Sequence, residues 1–492
     1  MRELRRKILL PAFRLSELTT DDDPLALTQV IKQGTGYPAT TYHYRFVGGD
    51  GTGREFCYNL FPVVLDKHAA PWPFGTLYIL AQLEAQTTPV MTTCQSKADD
   101  LGAYKEWLDT HDDPDDVMCQ FPQMKLRRVT YRYRGHLQRQ VQAGEVAPGT
   151  AKRRMGTVVA FYRWLIARNY LQPDNPPWEE KLYQITFRTL EGRSLSKRVV
   201  STDISIRAPK SEDPFSGTIR DGGQLRPLTN KEQGWVLEAT QAKGNTECYL
   251  LQLFMLATGA RIQSAGTLRL RHFTQTNPRY AKALAGDGEV FKLKAGPGTG
   301  IDTKNDKSGV LQVPRSIYEL LHTYGLSDRA KVRRSRFVAK HGEHPDPYLF
   351  FTQQGNPYFA AKADVQRFNP NFDRRHEKNG QPVRQFLKEH VIPDVRKKYD
   401  SSFKYRIHDL RASFGMNMTE LLMGLVQKRK ITLHQARMTV KDLLWHESLT
   451  TTDLYLNYRS HLNMIYEAVN GYGEQLQKWV AQASVSREVS DE

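Results

Sequence analysis

The sequence predicts a mainly α-helical fold of the α+β class, with small antiparallel sheets. Apolar residues recur at helical spacing over about residues 76–172, and a second apolar helix is predicted from Tyr249 to Leu256. Strand-like alternation is confined to short runs bounded by glycine or proline. We therefore divide the 492 residues into an N-terminal module (1–75), a helical domain (76–177), a linker (178–225) and a C-terminal domain (226–492) that ends in a tail helix.

The N-terminal module mixes strand-like runs with glycine-rich turns. Residues Thr41 to Val47 alternate in the manner of a strand, and a turn rich in glycine follows at residues 48–51. Pro71 and Pro73 then interrupt the chain. These features predict a small separate module, whose role the sequence leaves open.

The helical domain carries a strongly basic segment. From Lys125 to Arg168 there are eleven Lys or Arg residues and one acid, Glu145. Pro148 begins a predicted helix with an apolar face and a basic face. A charged helix face is usually just solvated, but the near-absence of acids here favours a DNA-facing surface. The candidate DNA-binding residues are Lys125, Arg127, Arg128, Arg132, Arg134, Lys152, Arg153 and Arg154.

The linker is predicted to be extended, with strand-like pieces at residues 184–189 and 199–206. Asn175-Pro176-Pro177 ends the helical domain before it. After it, Thr229 and Glu232 have the spacing of a capping box. A new domain therefore begins with the helix that follows Thr229.

The charge of the chain indicates a polyanionic partner. Lys and Arg total 70 against 53 Asp and Glu, which gives a net charge of +17. Nucleic acid is the first candidate and an anionic membrane the second. No run approaches the roughly 20 apolar residues of a spanning helix, and Pro11 cuts the N-terminal apolar run too short for a signal peptide. We expect a cytoplasmic, nucleoid-associated protein.

The cysteines predict neither a metal site nor a disulfide framework. Cys57, Cys94, Cys119 and Cys248 are widely spaced and form no C-x-x-C pair. Reduced thiols are typical of a cytosolic protein. We expect no metal and no cofactor.

Four spaced elements in the C-terminal domain carry reactive side chains. Each is weak alone, since a histidine and an arginine three residues apart are usually a surface pair. They are Ala257-Thr258-Gly259-Ala260-Arg261-Ile262; a hairpin of Phe291–Lys294 and Val310–Pro314 around a loop with Lys304 and Lys307; His408-Asp409-Leu410-Arg411; and Trp445-His446 through Asp453-Leu454-Tyr455. Gly259 is placed to end the helix before Arg261, and His408 and Arg411 share a helix face.

Taken in order, this series resembles the tyrosine recombinase (phage integrase) family. The most specific part is a histidine followed nine residues later by a tyrosine, as in His446 and Tyr455. Leu225–Thr229 is similar to the start of the family's catalytic domain, and residues 76–177 resemble its core-binding domain, so the resemblance covers about residues 76–492. It implies two domains that form a C-shaped clamp around DNA.

The sequence departs from the family pattern at two positions. Ser264 stands where a glutamate is usual, and Trp445 replaces a common glycine. The hairpin loop is longer than usual, so the lysine is Lys304 by preference, with Lys307 as the alternative. Tyr458 is a second tyrosine, but its spacing from His446 differs from the family's by three residues.

The resemblance implies metal-independent cutting and rejoining of duplex DNA through a 3′-phosphotyrosine. It implies that Arg261 and Arg411 bind the scissile phosphate and that Tyr455 is the nucleophile. His408 would accept the tyrosine proton, Lys304 would protonate the leaving 5′-oxygen, and His446 would donate a hydrogen bond to the phosphate. The resemblance also implies that a homo-tetramer acts on two DNA segments, in integration, excision or transposition of a mobile element. Accessory proteins are further candidate partners, and the N-terminal module is a candidate for binding accessory DNA sites.

Other functions stay open at this point. A type IB topoisomerase or a telomere resolvase uses a similar set of residues, and a DNA-binding protein could keep the fold without the chemistry. A basic RNA-binding protein ranks lower because no aromatic RNP-type motif occurs. The tail helix could pack on its own domain or on a neighbouring protomer. Its apolar residues at helical spacing are Ile465, Val469, Tyr472, Leu476 and Trp479. Gly471 and Gly473 are a candidate hinge within it.

Overall fold

The computed structural model describes residues 6–24, 26–31, 40–47, 57–85, 91–188, 194–208, 217–274, 290–364 and 379–488. Over these residues the fold is mainly α-helical with small antiparallel sheets, so the predicted fold class is confirmed. The described residues up to 208 belong to one compact unit, and those from 217 onward belong to a second.

The first unit begins with short strands. They are β1 (Lys7–Arg14), β2 (Ser16–Leu18), β3 (Leu27–Ile31), β4 (Thr40–Phe46) and β5 (Cys57–Val64). β1 pairs antiparallel with β5, and β4 lies between β2 and β3. The strand predicted around residues 41–47 is therefore present as β4.

After these strands, the described residues of the first unit form five α-helices followed by one hairpin. The helices are α1 (Pro73–Glu84), α2 (Met91–Leu108), α3 (Pro114–Cys119), α4 (Val129–Gln142) and α5 (Pro148–Ala167). The predicted linker contains β6 (Glu180–Arg188) and β7 (Ser194–Thr202), which pair antiparallel along their whole length. The linker is thus a hairpin rather than an isolated extended chain.

The N-terminal strands and the helices share one core. Phe61 and Val64 of β5 are fully buried in the same apolar cluster as Leu101 of α2 and Phe161 of α5. Phe61 also stacks on Phe13 of β1, with ring centroids 4.3 Å apart. The predicted boundary at residue 75 therefore falls within one continuous core, which the sequence alone did not reveal.

The second unit contains the C-terminal helices and two hairpins. Its elements are β8 (Ile219–Arg220), β9 (Gln224–Leu225), α6 (Asn230–Ala242), α7 (Thr246–Thr258), α8 (Ile262–Gly266), β10 (Val290–Ala295), β11 (Gly309–Pro314), α9 (Arg315–Leu326), α10 (Asp328–His341), α11 (Gln381–Phe386), α12 (Ile392–Lys398), α13 (Asp409–Gln427), α14 (Leu433–Leu444) and α15 (Leu449–Glu488). Leu387–Val391 forms a π-helical stretch between α11 and α12.

Local sequence signals fix several ends of these elements. Thr229 and Glu232 form the predicted capping box at the start of α6, with side chain and backbone bonded in both directions. Gly259 ends α7 in the left-handed region, at φ 68°. The predicted hairpin is also confirmed, since β10 pairs antiparallel with β11 in the register Leu293 to Leu311.

The tail helix is the C-terminal part of α15, which also carries Tyr455. Gly471 and Gly473 lie within its unbroken helical span, so the backbone shows no hinge there. Tyr472 and Leu476 are 57% and 40% exposed. The side chains of Ile465, Val469 and Trp479 lie outside the described residues. Among the described helices, none is long and apolar enough to cross a membrane.

The shared core of the first unit leads to a stability prediction. Phe61→Ala should lower the free energy of unfolding of the whole unit by about 3–5 kcal/mol, because a fully buried ring is lost from a core that includes the helices. Urea unfolding followed by the fluorescence of the buried Trp72 and Trp107 measures this. The control Val30→Ala, on an exposed strand position, should change stability by less than about 0.5 kcal/mol. Loss of the β-strands with unchanged helical unfolding would contradict the shared core.

Candidate active site

Four of the predicted catalytic side chains converge on one carboxylate, that of Asp221. Arg411 Nε donates to Asp221 Oδ2 at 2.8 Å, and the Tyr455 hydroxyl donates to the same oxygen at 3.1 Å. His446 Nε2 lies 3.2 Å from Oδ2, and Arg261 Nη2 lies 3.7 Å from Oδ1. These side chains come from distant parts of the second unit, and the fold assembles them around a single anion.

Arg261 is positioned by the sharp end of α7. Gly259 takes the left-handed conformation, and a Cβ built there would lie 2.5 Å from the ring of Phe414, so only glycine fits. The chain reverses there and Arg261 becomes the residue that precedes α8. The predicted break at Gly259 is therefore present, and it directs Arg261 toward Asp221.

Arg411 is the most constrained member of the site. Its side chain is only 4% exposed, and its guanidinium donates to the carbonyls of Gly259 at 2.8 Å and Leu444 at 2.5 Å besides Asp221. Asp409, also buried, accepts from the backbone amides of Arg226 and Arg406 and so fixes the start of α13. The planar donor fork of arginine suits this arrangement of three acceptors.

His446 and Tyr455 are set by the turn between α14 and α15. His446 Nδ1 contacts Thr452 Oγ1 at 3.1 Å, and the imidazole stacks on the Tyr455 ring with centroids 5.8 Å apart. Tyr455 is fully buried. Tyr458, the second tyrosine, instead directs its hydroxyl to the Gly217 carbonyl at 3.4 Å.

The two departures from the family pattern have structural counterparts. Trp445 takes a left-handed conformation, φ 53° and ψ 42°, where glycine would be unstrained. Its ring packs so closely on Gly309 of β11 that a Cβ there would lie 2.5 Å away. Ser264 donates to the Asp302 carbonyl at 2.8 Å, which ties α8 to the loop that carries Lys304.

The two candidate lysines occupy different surroundings. Lys307 pairs with Glu447 at 2.6 Å and contacts the Trp445 carbonyl at 3.5 Å. Lys304 is exposed, and its ammonium lies 3.5 Å from where a Cβ on Gly222 would be, next to Asp221. Lys304 is therefore beside the converging side chains, whereas Lys307 is held by the carboxylate of Glu447.

Burial and charge shift the pKa values of the site in a consistent way. Burial alone would raise the pKa of the Asp221 carboxyl, but His446 and Arg411 outweigh it, and the pKa lies well below its usual range. Burial and the Asp221 charge raise the pKa of Tyr455 well above its ordinary value. Burial, with Arg261 and Arg411, lowers the pKa of His408 to about 4. At neutral pH the site thus holds an ionised Asp221, a protonated Tyr455 and a neutral His408.

The predicted DNA-binding residues of the first unit divide into exposed and engaged side chains. Arg127 and Lys152 are exposed, and Arg134 and Arg154 are half-buried. Lys125 pairs with Glu179, Arg153 donates to Asp100 at 2.8 Å, and the Arg132 guanidinium lies over the Trp107 ring.

The prediction that Arg128 binds DNA is wrong. It is only 5% exposed, and its guanidinium donates to the carbonyls of Pro122, Gln123 and Pro176. These bonds join the segment before α4 to the end of the helical domain. Arg128 is therefore a structural residue that cannot reach a phosphate without unfolding its surroundings.

Asp221 is the central residue that sequence reasoning missed. It stands in Asp221-Gly222-Gly223, which has the composition of an ordinary turn. No local signal distinguishes a turn aspartate from one that fills a cationic site, because the arginines and the histidine it meets are up to 225 residues away. Among the described residues, no group of three or more His, Cys, Asp or Glu side chains is placed to hold a metal ion.

Comparison with known proteins gives distant structural matches. No protein-family model and no curated protein matches the chain. Among solved structures it is similar to the XerH site-specific recombinase bound to difH substrate (15% identity, 77% of this chain and 84% of that one, TM-score 0.39). It is also similar to the Tn1549 transposon integrase in complex with transposon right end DNA (14% identity, 80% of this chain and 99% of that one, TM-score 0.41). A third match is a lambda integrase dimer bound to a COC′ core site (12% identity, 78% of this chain and 94% of that one, TM-score 0.39).

All three are recombinases or integrases.

The buried ion pair leads to a second stability prediction. Arg411→Ala should lower the free energy of unfolding of the second unit by about 3–5 kcal/mol, because it leaves the Asp221 carboxylate buried without its main partner. Adding Asp221→Asn should restore part of the loss, since the uncompensated charge is then removed. Urea denaturation of the three variants measures this.

Lys428→Ala is the matched control, because Lys428 lies at the C-terminal end of α13, the helix that carries Arg411, and is exposed. It should change stability by less than about 0.5 kcal/mol. A loss for Arg411→Ala no larger than that of this control would contradict the structural role of the pair.

Proposed function

We propose that the protein is a site-specific tyrosine recombinase that cuts and rejoins duplex DNA through a covalent 3′-phosphotyrosine at Tyr455. The observation that carries the proposal is the convergence of Arg261, Arg411, His446 and the Tyr455 hydroxyl on one anionic group. This is an anion site with a nucleophile in direct contact with the anion. A phosphodiester offers the same kind of charged oxygen as a carboxylate, and arginine is well suited to bind it.

The reaction follows from what each side chain can donate or accept. The Tyr455 oxygen attacks phosphorus, the bond from phosphorus to the 5′-oxygen breaks, and a 3′-phosphotyrosine forms. His408, neutral at pH 7, accepts the tyrosine proton. Lys304 supplies a proton to the departing 5′-oxygen. Attack by a 5′-hydroxyl of another strand reverses every step and restores the phosphodiester.

The arginines contribute through charge. Negative charge accumulates on the non-bridging oxygens as the pentavalent transition state forms, and preorganised donors stabilise it in a site closed to water. Arg411 is fixed by three acceptors before any reaction, so little rearrangement is needed. Losing one donor of this kind typically costs a factor of about 10²–10³ in rate.

We also propose the partners that this reaction requires. Duplex DNA is the proposed substrate, and the exposure of the basic residues Arg127 and Lys152 supports a role for them in binding its backbone. Exchange between two DNA segments calls for four protomers, hence a homo-tetramer with accessory proteins as further partners. The role is integration, excision or transposition of a mobile element, in the cytoplasm at the nucleoid.

Covalent capture on DNA tests the proposal without knowledge of the target site. A pool of nicked duplexes of random sequence should give an SDS-resistant adduct with the wild-type protein, because the nick releases the 5′-hydroxyl strand and traps the intermediate. Sequencing the captured DNA identifies the site. Tyr455→Phe should abolish the adduct, whereas Tyr458→Phe, the matched control, should retain it.

Two results would contradict the assignment. An adduct that survives Tyr455→Phe moves the nucleophile to another residue. DNA binding without any adduct from the wild type indicates a protein that keeps the fold without the chemistry. Adducts at many unrelated sequences, with relaxation of supercoiled DNA, would instead favour a type IB topoisomerase.

The pKa of His408 leads to a pH prediction. The neutral imidazole accepts the proton, so His408 is competent above its pKa and fails as the pH falls through about 4, rather than through the ordinary value of about 6.5. The rate of adduct formation at saturating DNA should therefore show no titration near pH 6.5. His408→Gln should slow the reaction across the whole pH range. A loss of wild-type activity with a midpoint near pH 6.5 would contradict this role.

A further inference from the structure

Asp221 lies in the tight turn of a short β-hairpin. β8 (Ile219–Arg220) and β9 (Gln224–Leu225) contribute two residues each, and the Asp221 amide donates to the Gly223 carbonyl at 3.0 Å. Gly222 has φ 67°, in the region that favours glycine. Gly222 and Gly223 are exposed, whereas the Asp221 side chain is only 4% exposed. The turn thus inserts one acidic side chain into the site from the surface.

Asp221 uses the donors that the proposed reaction assigns to a phosphate. Arg411 Nε and the Tyr455 hydroxyl both donate to Oδ2, and Arg261 lies on the side of Oδ1. These donors surround the carboxylate closely, and Tyr455 is fully buried. A phosphodiester and the Asp221 carboxylate therefore cannot occupy this position together.

A second observation points to an anion other than Asp221. His446 Nε2 is buried, yet among the residues that the structure describes it makes no hydrogen bond of good geometry, although it lies 3.2 Å from Asp221 Oδ2. A buried donor without an aligned acceptor is costly. The Asp221 carboxylate is planar and attached to its turn, whereas the oxygens of a phosphate are arranged tetrahedrally on a group that is not attached to this turn, so a phosphate can align with both His446 and the arginines.

We propose that Asp221 is a built-in occupant of the phosphate site, held by the β8–β9 turn among Arg261, Arg411, His446 and Tyr455, and that DNA must displace it before Tyr455 reacts. This inference rests on the proposed function and concerns its regulation. Ile219 and Leu225 on either side of the turn are buried, whereas Gly222 and Gly223 at its tip are exposed, so a displacement of Asp221 is confined to the tip and leaves the flanking strands and the helices in place. Asp221 keeps the site closed to stray anions and to water until a phosphate with enough backbone contacts arrives.

The electrostatics agree with such a role. The Asp221 charge is, after burial, the main influence that raises the pKa of Tyr455, whereas Arg411 and Arg261 lower it. The DNA phosphate that replaces the carboxylate brings a comparable negative charge, so the arginines stay neutralised and the change at Tyr455 is the loss of its hydrogen bond to Asp221 Oδ2. Asp221 therefore holds the tyrosine hydroxyl away from reaction while it is in place, and frees it to face phosphorus once it has left.

Inorganic phosphate is the probe that tests this occupancy. In the full chain with Asp221 present, phosphate should raise the melting temperature of the second unit, relative to chloride at equal ionic strength, only by its general stabilising effect as a salt. In Asp221→Asn the site is open, and phosphate at about 100 times its dissociation constant should raise the melting temperature by about 5–10 °C. Asp364→Asn is the matched control, because Asp364 is a partly buried partner of the buried Arg269 in the same unit, and it should respond to phosphate no more than the wild type does.

The outcomes separate the possibilities, even if Asp221→Asn is poorly folded. Phosphate replaces the missing charge beside Arg411, so it should then restore folding, as judged by circular dichroism. An Asp221→Asn protein that phosphate neither stabilises nor restores overturns the proposal, and so does an equal response of the wild type. Asp221 would in that case be a permanent partner that orients Arg411.

Covalent capture keeps this test distinct from that of the proposed function. Under the proposal, Asp221→Asn forms the Tyr455 adduct at least as fast as the wild type. Loss of the adduct in Asp221→Asn, with no response to phosphate, would assign Asp221 to the reaction itself and overturn the inference. A response to phosphate without an adduct from any variant would overturn the proposed function and leave Asp221 as the occupant of an anion site.

Discussion

The buried Arg411 guanidinium, which needs an acceptor for each donor and an anion to compensate its charge, is the constraint on which the site depends. The Arg411 guanidinium joins the end of α7 through Gly259, the end of α14 through Leu444, and the β8–β9 turn through Asp221. A buried guanidinium is stable only when its donors are satisfied and its charge is compensated. The positions of the other reactive side chains follow, because each lies on, or next to, one of these three segments.

In the chemistry we propose, the same donors bind two anions in turn, first Asp221 and then the DNA phosphate. With Asp221 in place, the cationic side chains are neutralised and Tyr455 stays protonated and buried. With a phosphate in place, the same donors stabilise a transition state. Since a fixed set of donors serves both anions, little reorganisation is needed between the closed and the reactive arrangement, which is the condition for effective electrostatic catalysis.

The sequence predicts the parts of this site that depend on local signals. Gly259 ends α7 because of its own conformational freedom, Thr229 and Glu232 cap α6, and the strand pattern around Lys304 forms its hairpin. Long-range pairing is beyond such signals. Arg128 has the same side chain as its exposed neighbour Arg127, and only the position of distant carbonyls makes it structural. Asp221 has the sequence context of a turn, and only the folded chain brings it to the arginines. The shared core of β5 and the helices is hidden for the same reason.

The proposed reaction depends on a covalent link between Tyr455 and DNA. Mass spectrometry of the captured adduct, after digestion with nuclease and protease, detects this link. We expect a nucleotide joined through its 3′-phosphate to the peptide that contains Tyr455. A nucleotide on Tyr458 or on any other residue, or linkage through a 5′-phosphate, would contradict the proposed reaction.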